Sequence, residues 1–228
     1  FKVAQAHHLV LLATEARKQG NDAQAKKWLG KALKVYPAST EAWLEKLVTN
    51  FLNSQWEHFS KNLEDAIREV PVRMRFTLFE GLAETVGLPG PWKDDSDATE
   101  EDRSRFFELR QAIIPVLEKN NPDVLMRYYG SWVLCLSKDP SLATSWLEKS
   151  LLMDPDFWPA RLDLLAKSLD EAEVPAVVRV QLEFFIDRAR RVKRFYCRHC
   201  GIKLSGVFFV CPKCQSWHSI SFRLALTD

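Results

Sequence analysis

The chain of 228 residues carries 32 basic and 30 acidic residues, a formal net charge of +2, and 46% of its residues are hydrophobic. This near balance of charge describes an ordinary soluble surface and excludes the strongly basic composition typical of nucleic-acid-binding domains. No stretch of about 18 uncharged apolar residues occurs, so the sequence contains no candidate membrane span.

The first part of the chain predicts helical hairpins with a regular period. Apolar residues recur at helical spacing from Ala6, the turn Gly20-Asn21-Asp22 separates two helices, and Pro37 ends the unit. Pro71 follows Pro37 by 34 residues, and the segment between them repeats the same pattern. A period of this length, with Gly at the turn and Pro at the end, is typical of the tetratricopeptide repeat (TPR).

Three further units are predicted downstream, and the first of them is irregular. Its helices are expected at residues 74–86 and 103–119, separated by an acidic insertion near residues 88–102. The end of this insertion is expected to cap the next helix through Asp or Thr. Two more helix pairs follow. We therefore predict an all-α fold, a TPR-type α-solenoid of about ten helices over residues 1–194.

The last part of the chain, residues 195–228, predicts a metal site. It carries two CxxC motifs that supply four cysteines: Cys197, Cys200, Cys211 and Cys214. Each two-residue spacer turns the backbone so that both sulfurs point inward, which gives four thiolate ligands for one tetrahedral ion. We predict zinc, with iron as the alternative, because sulfur-only tetrahedral sites suit both. The segment is expected to form a small rubredoxin-like or zinc-ribbon β module, with a hairpin at residues 202–210 joining the two motifs.

Other interpretations of these four cysteines have less support from the sequence. Two disulfides would have to close tight CxxC loops in a chain that otherwise has intracellular character. A thioredoxin-type redox motif requires a βαβ pattern beside it, which this sequence lacks. A complete four-thiolate shell leaves no position for an activated water, so we predict a structural metal, no catalytic residues and no enzymatic activity. Electron transfer or redox sensing by an iron-loaded centre is the alternative function.

The residues around the cysteines carry further expectations. His199 and His218 are expected to be solvated or hydrogen-bonded, because four thiolates already complete the shell. The tether between the last helix and Cys197 is very short, so the metal module is expected to pack against the end or inner face of the helical array. Its predicted contacts are aromatic: Phe195, Tyr196, Phe208, Phe209 and Trp217.

The order of the motifs resembles one known family. TPR-like units run directly into Tyr196-Cys197-Arg198-His199-Cys200-Gly201 and then into Cys211-Pro212-Lys213-Cys214-Gln215-Ser216-Trp217. This arrangement is similar to the lipopolysaccharide assembly protein B family. The resemblance implies that the four cysteines bind the metal, and that the chain is an adaptor that regulates lipopolysaccharide synthesis. It would present the lipid A deacetylase to a membrane-bound AAA+ protease.

The same resemblance implies a location and leaves a second family open. Members are held at the cytoplasmic face of the inner membrane by an N-terminal helix, which here would precede Phe1. HemY-type TPR proteins, associated with the heme pathway, also combine TPR units with a CxxC pair and are the alternative.

The fifth cysteine, Cys135, lies in an apolar helical context and is predicted to be a buried thiol.

Protein binding is the function that the helical array itself predicts. A solenoid presents a long concave groove, and apolar side chains on its first helices are candidate partner contacts. We predict a partner-binding surface at five positions: Leu44, Val48, Phe51, Tyr128 and Trp132. The alternative is that these side chains pack between repeats or beneath the metal module. Nucleic-acid binding by the basic run at residues 188–194 is a weaker prediction, because basic side chains also stabilise the C-terminus of a helix.

Overall fold

The computed structural model describes residues 1–89, 99–171 and 173–225 of the chain. This part contains ten α-helices, one 3₁₀ turn and three short β-strands. In chain order the helices are α1 (Lys2–Lys18), α2 (Asp22–Val35), α3 (Thr40–Leu52), α4 (Trp56–Glu69), α5 (Phe76–Val86), α6 (Glu100–Lys119), α7 (Val124–Leu136), α8 (Pro140–Met153), α9 (Trp158–Glu171) and α10 (Ala176–Arg190). The 3₁₀ turn (Val72–Met74) precedes α5, and the strands are β1 (Phe195–Cys197), β2 (Lys203–Leu204) and β3 (Ile220–Phe222).

Polar residues set where several of these helices begin. At four helix starts a side-chain oxygen accepts the backbone N–H three residues further on, and these caps are Asn21, Ser39, Asp123 and Asp139. Such a cap satisfies one of the amides that a helix start leaves open. At the start of α6, Thr99 and Asp102 form a reciprocal capping box, which confirms the predicted cap at the end of the acidic insertion. Residues 90–98 of that insertion lie outside the described residues.

The helices pack in pairs and in a row. Helix α1 packs on α2, α3 on α4, α7 on α8, and α9 on α10, so each pair is adjacent along the chain. Helices α1, α3, α5 and α7 form a row in which each contacts the next, and α6 packs against α4 and α7. The prediction of a mostly helical fold with a small C-terminal β segment is confirmed. The assignment of the pairs to TPR units of a solenoid stays a prediction.

The three strands form one antiparallel sheet with β1 in its centre. Phe195 of β1 pairs with Leu204 of β2 and with Phe222 of β3. The predicted hairpin at residues 202–210 is therefore wrong, because β2 pairs with β1, the strand that ends at the first cysteine of the first CxxC motif. Strands of two or three residues are too short to show alternation in a sequence, so their pairing could not be predicted from the pattern.

The sheet packs directly on the helices and shares their core. Phe195 is fully buried, and its ring stacks on Phe76 of α5 with centroids 5.4 Å apart. The ring of Phe222 packs edge-on against both. Trp217 lies edge-on to His7 of α1, with centroids 4.9 Å apart. The expected packing of the metal module against the helices is confirmed, and two partly buried residues extend it, Phe208 and Phe209.

Gly130 of α7 allows α8 to approach closely. A Cβ atom at this position would lie 2.3 Å from Cζ3 of Trp146, which is too short for two carbon atoms. We expect Gly130→Ala to lower the free energy of unfolding by about 1–3 kcal/mol, because the Trp146 ring must shift within a packed core. Urea-induced unfolding followed by circular dichroism measures this change.

Gly30 of α2 provides the matched control. A Cβ atom there would meet no neighbouring element within 4 Å. Gly30→Ala is therefore expected to raise the free energy of unfolding by up to about 1 kcal/mol, through the higher helix propensity of alanine. Equal effects of the two substitutions would contradict a close helix contact at Gly130.

Candidate metal centre

The four cysteine sulfurs converge on one point, and their Sγ atoms all lie within 4.8 Å of one another. Cys197 Sγ is 3.7 Å from Cys214 Sγ. Cys200 Sγ is 3.6 Å from Cys211 Sγ. Thiolates bound tetrahedrally at about 2.3 Å from zinc would be separated from one another by about 3.8 Å. The cluster therefore has the size of a four-thiolate shell, and the residues present fit a metal ion.

The two CxxC motifs are built in the same way. The N–H of Gly201 donates to the carbonyl of Cys197 at 2.8 Å. In the second motif, the N–H of Gln215 donates to the carbonyl of Cys211 at 2.9 Å. Both donor residues have positive φ, 72° and 58°, which closes a tight turn. The first motif connects β1 to β2, and the second connects two residues paired by an antiparallel bridge, Val210 and Trp217. Each motif is therefore the turn of a short hairpin.

Serine hydroxyls lie against two of the sulfurs. Ser219 Oγ is 3.2 Å from Cys197 Sγ, and Ser216 Oγ is 3.0 Å from Cys214 Sγ. Burial raises the pKa of Cys197, but hydrogen bonds with both hydroxyls and with backbone N–H groups outweigh burial and lower the pKa to about 5. Hydrogen bonds with the hydroxyl and the backbone of Ser216 lower the pKa of Cys214 to about 7. These contacts favour the thiolate, which is the form that binds metal.

The pKa of Cys200 is displaced in the opposite direction. The backbone N–H of Ile202 lowers it, but burial and the neighbouring thiols of Cys214, Cys197 and Cys211 together raise it to about 12. A divalent cation at the centre of the cluster would replace the thiol protons and favour the thiolate form of all four cysteines. Zinc as its identity stays a prediction, with iron as the alternative.

Ser219 is the buried hydroxyl closest to a predicted metal ligand. We expect Ser219→Ala to weaken zinc binding by about 10–100-fold, the range typical of residues that hydrogen-bond a metal ligand. Competition with a chromophoric zinc chelator measures the affinity. Ser205→Ala, at an exposed position in the loop after β2, is the control. Equal affinity of the two variants would show that the Ser219 hydroxyl does not support the thiolate.

The two neighbouring histidines stand apart from the sulfurs. His199 is exposed. The ring of His218 lies 5.7 Å from that of Tyr36, and its Nε2 atom is 3.9 Å from Oε1 of Glu41. Among the described residues, the four cysteines are the only convergent group of three or more potential ligands. This agrees with the prediction that neither histidine binds the metal.

The five predicted partner contacts are buried, and none is more than 8% exposed: Leu44, Val48, Phe51, Tyr128 and Trp132. The ring of Phe51 packs edge-on against Trp56 of α4, and the ring of Tyr128 packs edge-on against Phe157. The predicted partner surface is therefore corrected, because these side chains form part of the core, as the alternative held. The prediction that Cys135 is buried is also wrong, because this residue is exposed.

A buried ion pair that the sequence did not reveal joins the C-terminal segment to the helices. Glu80 of α5 is 3% exposed, and Arg194 Nη2 donates to its Oε2 atom at 3.1 Å. The hydroxyl of Tyr129 donates to Oε1 of the same carboxylate at 2.7 Å. In the sequence, Arg194 is only the last residue of the basic run at residues 188–194, where the last helix ends. Its partner lies 114 residues away, so no local pattern could identify it.

The fold and the cluster define a mostly helical protein with a small C-terminal sheet and a four-cysteine site that fits a metal ion. Scanning the chain against protein-family models gives no match, and a search of curated proteins gives none either. Within the described ranges, no helix is both long enough and apolar enough to cross a membrane.

Proposed function

We propose that this protein is a non-enzymatic adaptor that binds other proteins through its helical array and is stabilised by a structural zinc ion. The array is proposed to be a TPR-type α-solenoid, and the succession of helix pairs along the row α1, α3, α5 and α7 supports this. A complete four-thiolate shell supports a structural role for the metal.

The observation that carries the proposal is an exposed apolar face on α10. Val177, Val180 and Phe184 recur at helical spacing and are 51–71% exposed, and Phe185 beside them is 62% exposed. Helix α10 packs on α9 through Ile186, and the exposed apolar face is not part of that contact. Contiguous exposed apolar side chains on a soluble protein mark interaction sites.

The partners in this proposal come from the resemblance to the lipopolysaccharide assembly protein B family. They are a membrane-bound AAA+ protease and the lipid A deacetylase, which the adaptor presents to the protease. The proposed location is the cytoplasmic face of the inner membrane. Helix pairs that continue directly into two CxxC motifs support the proposal, as does the core that the two parts share.

Binding of the two purified candidate partners tests the proposal. We expect the metal-loaded chain to bind the deacetylase in biolayer interferometry and to accelerate its degradation by the protease in lipid nanodiscs. Replacing Val180 and Phe184 together by Asp is expected to weaken partner binding by about tenfold or more, because two apolar contacts are lost.

Leu152→Asp is the matched control for the α10 variant. Leu152 is 84% exposed but belongs to α8. Binding that is equally strong in both variants would remove the α10 face from the proposal. Failure of the unaltered chain to bind either partner would contradict the proposed pathway.

A further inference from the structure

A cavity separate from the metal centre and from the α10 face lies between α2, α3 and α4. Its volume is about 340 Å³, which falls within the range of small-molecule sites, about 300–1,000 Å³. Leu29 and Leu33 of α2 give it an apolar part. Its polar part includes side chains from all three helices and from the residue before α4: Lys26, Lys46, Asn50, Gln55, His58 and Asn62.

The lining of this cavity carries positive charge. Lys26 and Lys46 both line it, and among the described residues no carboxylate does. The ammonium group of Lys46 also lies 4.5 Å from the centre of the Trp43 ring, so an anion would add to this contact. Burial lowers the pKa of Lys46, and the nearby carboxylate of Asp65 only partly offsets this effect. Because burial disfavours the charged amine, an anion in the cavity would stabilise the ammonium form of Lys46.

Amide side chains give the cavity directional hydrogen-bonding groups. Asn62 Nδ2 donates to Asn50 Oδ1 at 3.3 Å. The oxygen of the Asn50 amide is therefore engaged, and its Nδ2 group is the part that remains as a donor. The backbone N–H of Gln55 donates to the carbonyl of Asn50 at 2.8 Å, which holds a third amide side chain at the same edge. Such donors suit the oxygen atoms of a phosphate or a carboxylate.

Gly30 borders the cavity in the interior of α2. A glycine at such a position costs about 1 kcal/mol relative to alanine in helix propensity. A Cβ atom at Gly30 would meet no neighbouring element within 4 Å, so the position faces open space. Gly30 is exposed, so a larger side chain at this position would stand at the open side of the cavity and obstruct it.

We propose that this cavity binds a small anionic molecule. An apolar or aromatic body of the ligand would lie against Leu29 and Leu33, and a phosphate or carboxylate group would lie against Lys26 and Lys46. A purely apolar ligand fits less well, because it would desolvate the two ammonium groups without supplying a counter-ion. The site does not depend on the protein-binding function proposed for α10.

Phenyl phosphate combines both parts of this chemistry and is the probe for the test. Isothermal titration calorimetry of the metal-loaded chain is expected to show one saturable site for phenyl phosphate and much weaker binding of phenol. Benzoate, titrated at the same concentrations, distinguishes a preference for carboxylate from one for phosphate. Lys26→Met combined with Lys46→Met is expected to weaken binding by about tenfold or more, because hydrogen bonds to a charged group are lost.

Two substitutions of Gly30 and one control complete the experiment. Gly30→Leu is expected to abolish binding by obstructing the cavity, and Gly30→Ala, which is expected to fold normally, is expected to weaken it. Lys34→Met changes an exposed lysine of α2 outside the cavity and is expected to leave binding unchanged. The proposal is overturned if phenyl phosphate does not bind. Phenol binding as tightly, or binding unchanged by both the lysine pair and the Gly30 substitutions, would also overturn it.

Discussion

Cys211→Ser is expected to remove the bound metal and to destabilise the helices together with the C-terminal segment. Cys211 is fully buried, and its sulfur lies 3.6 Å from that of Cys200. Serine is a poor substitute for a thiolate ligand. Structural zinc contributes about 10–16 kcal/mol of apparent folding free energy in small zinc domains, so the segment without its metal is expected to unfold.

The helices are affected because the segment supplies part of their core. Phe195 and Phe222 pack on Phe76 of α5, and Ile220 is fully buried in the same cluster. Each fully buried large apolar side chain contributes about 1.5–3 kcal/mol, so losing two or more should lower the free energy of unfolding by at least about 3 kcal/mol. We expect the whole chain to unfold at a lower temperature in a single transition.

Metal content by mass spectrometry and thermal unfolding by circular dichroism measure the two effects. The expected metal content is one zinc ion per chain in the unaltered protein and none in Cys211→Ser. Cys135→Ser is the control, because Cys135 is exposed on α7 and far from the cluster in sequence. Stoichiometric iron with visible absorbance would support the alternative cofactor. Loss of metal with unchanged thermal stability would contradict the shared core.

Arg194→Met is expected to produce the second large loss of stability. Methionine replaces the aliphatic stem of Arg194 with an unbranched apolar side chain but leaves the buried carboxylate of Glu80 without its cation. Breaking a buried ion pair from one side costs about 3–5 kcal/mol, because the remaining charge stays desolvated. Tyr129 still donates a hydrogen bond to Glu80, but it supplies no charge. Urea-induced unfolding measures the change.

Two further variants show whether the loss comes from the unpaired charge. Glu80→Gln in the Arg194→Met background is expected to recover part of the stability, because the amide has no charge to leave unpaired. Arg68→Met removes an exposed ion pair with Asp65. It is expected to change the free energy of unfolding by less than about 1 kcal/mol. If Arg194→Met behaves like Arg68→Met, the buried pair does not stabilise the fold.

The helices and the cysteine cluster could be predicted because both follow from local patterns. Apolar residues at helical spacing identified the first helix pair within a few residues of its ends, because Gly20 marks the turn between the helices and Pro37 marks the end of the second. Each CxxC motif could be predicted as a tight turn that points its two sulfurs inward, and the hydrogen bonds from Gly201 to Cys197 and from Gln215 to Cys211 close these turns. These relations are fixed by residues that are neighbours in sequence.

The relations between distant segments could not be predicted in the same way. Tyr128 carries the same apolar character whether it lines a groove or packs under Phe157, and only the fold decides between them. The pairing of Arg194 with Glu80 and the pairing of β1 with two other strands also depend on tertiary packing. Helical periodicity shows that a face is apolar, but it does not show which segment covers that face.

During translation, Phe76 leaves the ribosome long before the rings that cover it exist. In the chain, 119 residues separate Phe76 from Phe195, which corresponds to about 6–24 seconds of synthesis at typical bacterial and eukaryotic rates. For that interval α5 carries an apolar surface with no partner in the nascent chain. A metal ion held by all four cysteines could bind only after both CxxC motifs have emerged. The core around Phe76 is therefore completed only after the C-terminal segment has been synthesised.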